Sequence, residues 1–149
     1  MYEINLSTLL LIGLNDTSTK VVEIEKEFIV DSSCKDIINN SCKYFGSSLV
    51  DRINSTKRLV NISSKSPILI EESRSIIFFP LKSTREKNNI WISFNNLVSY
   101  EKNNKKTLFK FYGNKDYLLD FSYYIVDNQV TRSMMLDYVL KKRKETLKK

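Results

Sequence analysis

The stretch Val21-Val22-Glu23-Ile24-Glu25-Lys26-Glu27-Phe28-Ile29-Val30 runs directly into Asp31-Ser32-Ser33-Cys34-Lys35-Asp36-Ile37-Ile38-Asn39-Asn40-Ser41-Cys42-Lys43-Tyr44-Phe45-Gly46, and its apolar period changes on the way. Up to Val30, apolar and charged groups alternate. Val22, Ile24 and Phe28 share one face and Glu23, Glu25 and Glu27 the other, which is the pattern of a strand. From Cys34 the apolar positions Cys34, Ile37, Ile38, Cys42 and Phe45 recur at helical spacing. Ser33 with Asp36 resembles a capping box, and Gly46 stands where a left-handed residue closes a helix. Strand gives way to helix with no long linker, so both kinds of element share one core.

The same reading extends outward. Upstream, Thr8 to Leu14 is β-rich, and Asn15-Asp16 opens the turn into the next strand. Downstream, a second helix starts at Ser47 or Ser48, with Leu49, Val50 and Ile53 as its apolar side. Short apolar strands follow at Ile68–Ile70, Ile76–Phe79 (ended by Pro80) and Ile90–Phe94, the last after a polar loop from Ser83 to Asn89. Val98–Tyr100, Thr107–Tyr112 and Tyr117–Phe121 outline a β-meander. A last helix runs from Asp127, as N-cap, to Lys144, with Val130, Met134, Met135, Tyr138 and Val139 inward. The expectation is an α+β fold: a single domain over 1–149, a largely antiparallel sheet, and two or three helices.

Composition narrows the chemistry. The chain has 149 residues, 42% hydrophobic and 28% charged, with a net charge of +7. That is a soluble globular balance at the size of one domain. No apolar run approaches the ~18 residues of a membrane span. Met1-Tyr2-Glu3 is acidic where a secretory signal is basic, so no signal peptide is expected. There is no His. This excludes Ser-His-Asp and Cys-His catalytic units and His-bearing zinc sites. Cys34 and Cys42 on one helix would lie about 12 Å apart, beyond disulfide reach, and read as buried thiols in a reducing cytoplasm. Glu71-Glu72 and the Asp116/Asp120 pair are the remaining metal candidates, but two acids near a turn are ordinarily solvated. No glycine-rich phosphate loop exists among three scattered glycines. No enzyme activity, cofactor or metal is expected.

Charge is uneven. Residues 1–30 carry a net −3, residues 31–95 a net +4, and residues 96–149 a net +6. Lysine and asparagine abundance also fits an A/T-rich genome, so charge alone does not establish a nucleic-acid partner. Two basic clusters are placed better than composition requires. One is Lys43-Tyr44-Phe45-Gly46-Ser47-Ser48 with Arg52, Lys57 and Arg58. In it, Ser47 and Ser48 at a helix start either offer donors to a phosphate or simply cap the helix. The other is Lys82-Ser83-Thr84-Arg85-Glu86-Lys87, a polar loop between apolar strands. It suits a duplex backbone or a narrow A/T minor groove, and equally a solvated loop.

Specific strings go further than composition. Ser41-Cys42-Lys43-Tyr44-Phe45-Gly46-Ser47-Ser48 resembles the S-C-[RK]-[FY]-F-G-S-S segment of the ComK family of Gram-positive competence transcription factors. In the same order, Ile62-Ser63 with Lys65-Ser66-Pro67-Ile68 resembles its I-S-H-K-P-P-I, and Ile76-Ile77-Phe78-Phe79-Pro80 its I-F-L-F-P. Ser83-Thr84-Arg85 followed by Trp91-Ile92-Ser93 resembles S-T-R then W-I-S, and Asp127-Asn128-Gln129-Val130 with Arg132 resembles E-N-Q-V-x-R. The likeness covers about residues 38–140, with Ser64 and Ser66 replacing a family His and Pro.

The resemblance implies a cytoplasmic transcriptional activator of DNA-uptake genes. Such proteins read paired A/T-rich boxes, largely through the minor groove, as dimers or pairs of dimers. Placed on the matched motifs, Arg85 is expected in or near the minor groove. Lys43, Arg52, Lys57, Lys82 and Lys87 are expected on phosphates, with Ser47, Ser48 and Thr84 as hydrogen-bond partners. Phe45, Phe78, Phe79 and Trp91 are assigned to the core. The resemblance also implies a Clp protease adaptor as partner, but the aromatic and acidic tail it recognises has no counterpart in the basic segment 141–149. That departure keeps a rival reading: a shortened relative that modulates a full-length partner. A metal-dependent nuclease on a basic scaffold is a third.

Overall fold

The computed structural model describes residues 1–148. Its strands are β1 (Thr8–Asn15), β2 (Ser18–Glu23), β3 (Glu27–Val30), β4 (Ile68–Glu71), β5 (Ile76–Pro80), β6 (Ile90–Ser93), β7 (Leu97–Asn103), β8 (Lys106–Phe111) and β9 (Lys115–Leu119). Its helices are α1 (Cys34–Tyr44), α2 (Leu49–Val60) and α3 (Tyr123–Lys148). Six strands form an antiparallel sheet in the order β3-β2-β1-β6-β5-β4, and β7-β8-β9 form a separate antiparallel meander. The expected α+β class is what the chain adopts.

The large sheet is covered on both faces. On one, Leu11, Val21, Ile68, Ile70, Phe78 and Trp91 pack against Cys34, Ile37, Ile38 and Cys42 of α1 and Leu49 of α2. On the other, Leu10, Val22, Phe79 and Ile92 meet Phe109, Phe111 and Leu119 of the meander and Val126 and Val130 of α3. Leu69 and Ile77 continue that face onto Leu136 and Leu140 of α3 and Leu59 of α2. Burial on two sides explains why β4 and β5 are almost continuously apolar instead of alternating.

The α1–α2 corner follows its sequence signals. The Ser33 hydroxyl accepts from the Asp36 N–H at 3.1 Å. Gly46, at φ 91°, donates to the Lys43 carbonyl at 3.0 Å, and Ser47 N–H donates to the Cys42 carbonyl at 2.9 Å. This is a complete Schellman closure. Ser48 then caps α2 by accepting from Asp51 N–H at 3.0 Å.

Four expectations need correction. Val21–Val30 is a hairpin, not one strand: Glu23 N–H donates to the Lys26 carbonyl at 2.8 Å, and the turn at 24–26 sends Phe28 to the opposite face from Val22 and Ile24. Val50 is exposed, because the inner side of α2 runs through Leu49, Ile53 and Thr56. The strands expected at Val98–Tyr100 and Thr107–Tyr112 extend toward each other, with Glu101 to Asn103 and Lys106 in the β7–β8 ladder and the turn at Asn104-Lys105. Helix α3 begins four residues earlier than expected, with Ile125 N–H donating to the Ser122 hydroxyl at 3.4 Å; Asp127 instead accepts from Tyr100 at 2.6 Å. Its buried stripe is Val126, Gln129, Val130, Ser133 and Leu136, leaving Met134, Met135 and Tyr138 exposed.

Candidate nucleic-acid interface

The polar loop 81–89 joins the end of β5 to the start of β6, and one asparagine holds both of its ends. Asn89 is fully buried. Its Oδ1 accepts from Lys82 N–H at 3.0 Å and Ile90 N–H at 2.7 Å, and its Nδ2 donates to the Ser83 carbonyl at 2.9 Å and the Lys82 carbonyl at 3.3 Å. Its own carbonyl accepts from Gly13 N–H at 2.8 Å and from the Cys34 thiol at 3.1 Å. A Cβ at Gly13 would stand 2.8 Å from the Asn89 backbone, so glycine permits this approach of loop to strand. From this base the loop holds Arg85 and Lys87 exposed and Lys82 and Thr84 half-buried. Lys82 Nζ lies 4.0 Å from Glu86, while neither Arg85 nor Lys87 forms an ion pair among the described residues.

The other cluster lies a strand length away. β5 starts beside the Glu71–Ser75 turn and ends at Pro80, about 16 Å of extended chain. The α1–α2 corner sits at the turn end. Lys43 is exposed there, and Ser47 and Ser48 are half-buried, with the Ser48 oxygen used in capping. The Arg52 side chain is largely covered, its guanidinium donating to Glu72 at 3.3 Å and its buried Nε without a partner. Lys57 is exposed further along α2. The nine residues expected to act together thus fall into two groups at opposite ends of β5, with Lys57 between. Phe78, Phe79 and Trp91 are fully buried and Phe45 partly so, all in core clusters.

Glu71, Glu72 and the two cysteines have structural work. Glu71 accepts from Ser73 and Arg74 N–H, both at 2.9 Å, and from the Ser73 hydroxyl. Burial pushes its carboxyl up, but these hydrogen bonds and the Arg74 charge outweigh that and leave it below the usual range. Burial pushes the Cys34 thiol up and the Cys42 thiol up to about 12, so neither is poised as a nucleophile. Glu71 and Glu72 are committed to the turn and to Arg52, while Asp116 and Asp120 are exposed and form no ion pair among the described residues. No group of three or more His, Cys, Asp or Glu could hold a metal among the described residues. No described helix is long and apolar enough to cross a membrane.

Sequence reasoning missed two positioning residues. Asn89 looks like any polar loop residue. Gln129 is buried in α3, and its Nε2 donates to the Lys65 carbonyl at 2.8 Å and the Pro80 carbonyl at 2.7 Å. Arg132 donates to the Ser64 carbonyl at 2.7 Å, and Thr56 to the Pro67 carbonyl at 2.8 Å. Segments far apart in the chain (the Ile62–Ile68 loop, the Phe-Phe-Pro end of β5 and the Gln129–Arg132 turn of α3) therefore form one knot beneath loop 81–89.

Fold and site define a small basic α+β protein that presents cationic groups on a rigid base. The chain belongs to the ComK family, whose model, described as ComK protein, matches residues 1–145. It is similar to the competence transcription factor of Bacillus subtilis (strain 168), with 31% identity over 119 residues, 79% of this chain. The match spans 62% of that relative's length. No solved structure matches the chain.

Proposed function

We propose that this chain is a cytoplasmic competence transcription factor that binds A/T-rich duplex DNA as a homo-oligomer and activates transcription. The observation that carries this reading is loop 81–89, whose backbone is pinned by buried Asn89 while Arg85 and Lys87 stand exposed and unpaired. A cation on a fixed base loses little freedom on meeting a phosphate or a narrow groove. Arg85 takes the groove, with Lys82, Lys87 and Thr84 on the flanking backbone. Lys43, Ser47 and Lys57 belong to phosphates further along the same duplex, and Arg52 contributes least because Glu72 already holds it. Self-association uses the exposed apolar face of α3 around Met134, Met135 and Tyr138.

The test is fluorescence anisotropy on a duplex with two A/T-rich boxes and on its G/C-substituted counterpart, over a range of salt. Binding that prefers the A/T duplex and survives ~150–200 mM salt supports the reading. Equal, weak binding that vanishes with modest salt refutes it. The exposed α3 face also favours a second reading, in which this chain pairs with a longer relative and modulates it. Protein that binds neither duplex yet forms a stoichiometric complex with such a relative would establish that role.

A further inference from the structure

A second cationic projection stands outside loop 81–89, at the tip of the β7–β8 hairpin. Residues 101–106 are all exposed. Asn103 faces Lys106 across the ladder, and Asn104-Lys105 make the turn, with Asn104 at φ 56°, a left-handed conformation that asparagine tolerates. Below the tip the hairpin is anchored. Thr107, fully buried, donates to the Phe121 carbonyl at 2.8 Å; the Tyr100 and Tyr123 rings lie 5.4 Å apart; and Phe109 is in the core. Past that anchor the hairpin stands clear of the body. The other end of the meander, at Gly113, lies against Ile24 just beyond β2, where β1 begins. The tip is thus directed toward the opposite end of the large sheet, the end that carries loop 81–89.

Its charge is unneutralised. Lys102, Lys105 and Lys106 form no ion pair among the described residues, whereas Lys110, nearer the core, lies 3.8 Å from Glu101. Three neighbouring ammonium groups repel one another, and that repulsion is relieved when phosphates come between them. We infer that this hairpin is a second DNA contact, holding the sugar-phosphate backbone beside the segment engaged by loop 81–89. The inference rests on the DNA-binding reading above. Lysines on phosphate carry no sequence information, so the hairpin adds affinity and register without A/T preference.

The experiment is the salt dependence of binding by the Lys102→Gln/Lys105→Gln/Lys106→Gln protein to the A/T-rich and G/C-substituted duplexes. At about 0.9 per phosphate, the slope of log K against log salt should become shallower by about 2.7, equally on both duplexes. The variant should therefore lose about 40-fold less affinity than wild type between ~50 and ~200 mM salt. The triple Lys→Arg protein should keep the wild-type slope. If the Gln variant melts early, Lys105→Gln alone, in the turn, should lower the slope by about 1 on folded protein. A wild-type slope in the Gln variants overturns the inference while leaving the DNA-binding reading intact. Failure of the wild type to bind either duplex overturns both.

Discussion

Removing the Asn89 side chain should loosen loop 81–89 before it endangers the fold. In Asn89→Ala, Lys82 N–H loses its acceptor at 3.0 Å and the Ser83 carbonyl its donor at 2.9 Å, both against a fully buried group. The Lys82 carbonyl contact at 3.3 Å is weaker, and the Ile90 N–H bond is local to the adjacent peptide. Two well-made bonds at about 1–1.5 kcal/mol each, plus part of an orphaned-group penalty, give a loss of about 2–4 kcal/mol. For a chain of this length that lowers the melting temperature by on the order of 10 °C. A domain stable by about 5–15 kcal/mol remains mostly folded at 25 °C, so binding can be measured on native protein. Urea unfolding should show a lower midpoint at unchanged m-value, and anisotropy should show weaker A/T-duplex binding with a reduced A/T over G/C ratio. Asn89→Asp is the sharper variant, since it keeps the acceptor but turns the amide donor into an oxygen facing two carbonyls; it should be at least as damaging. Native stability together with an undiminished A/T preference in Asn89→Ala would refute the argument that this side chain positions the loop.

Three further outcomes follow from the packing. Met135→Glu with Tyr138→Lys, on the exposed face of α3, should leave the melting temperature within a few degrees and shift any oligomer to monomer in light scattering; an unchanged mass excludes this face. Glu71 has a folded pKa below its ordinary ~4.3, so its stabilisation is present above that value and lost as pH falls through the folded value. Urea midpoints from pH 6 to 3 should therefore drop more steeply for wild type than for Glu71→Gln, and parallel curves would place the acid sensitivity elsewhere. Cys34 and Cys42, buried with raised thiol pKa, should resist iodoacetamide at pH 8 until urea unfolds the chain; rapid labelling of either in native protein would contradict the α1 packing.

Sequence legibility depended on whether a local signal and the tertiary environment agreed. The α1–α2 corner was readable because Ser33, Gly46 and Ser48 each act on backbone groups within five residues. The β2–β3 hairpin was not, because its turn, Ile24-Glu25-Lys26, has no Gly, Pro or Asn and continues the alternation through a reversal. In α3 polarity and burial disagree at several positions. Gln129 and Ser133 are polar yet buried, Gln129 donating to Lys65 and Pro80 and Ser133 to the Gln129 carbonyl. Met134, Met135 and Tyr138 are apolar yet exposed. Hydropathy therefore placed Val130 correctly but put Met134, Met135 and Tyr138 on the core side when they face solvent. Of the site, the exposed cations were legible as residue types, but their division between two ends of β5 follows from strand pairing that no short motif encodes.

The acidic beginning of the chain has a place in this arrangement. Three of its five carboxylates, Glu23, Glu25 and Glu27, lie on the β2–β3 hairpin: Glu23 accepts from Tyr2 at 2.7 Å, and Glu27 lies 3.0 Å from Lys20 and accepts from Tyr117. That hairpin is one edge of the large sheet, while the basic segments supply loop 81–89, α2 and the hairpin tip. Edge carboxylates have a local use, since unpaired strand edges invite pairing with other chains and charge discourages it. Their charge is largely offset at short range: Lys20 lies 3.0 Å from Glu27 and Lys26 4.0 Å from Glu23. At physiological salt a phosphate feels charges within about 8 Å, so it meets little net charge at the β3 edge and the exposed cations Arg85 and Lys87 at the loop end. On the DNA-binding reading proposed above, a duplex would therefore be drawn to loop 81–89 rather than to the β3 edge.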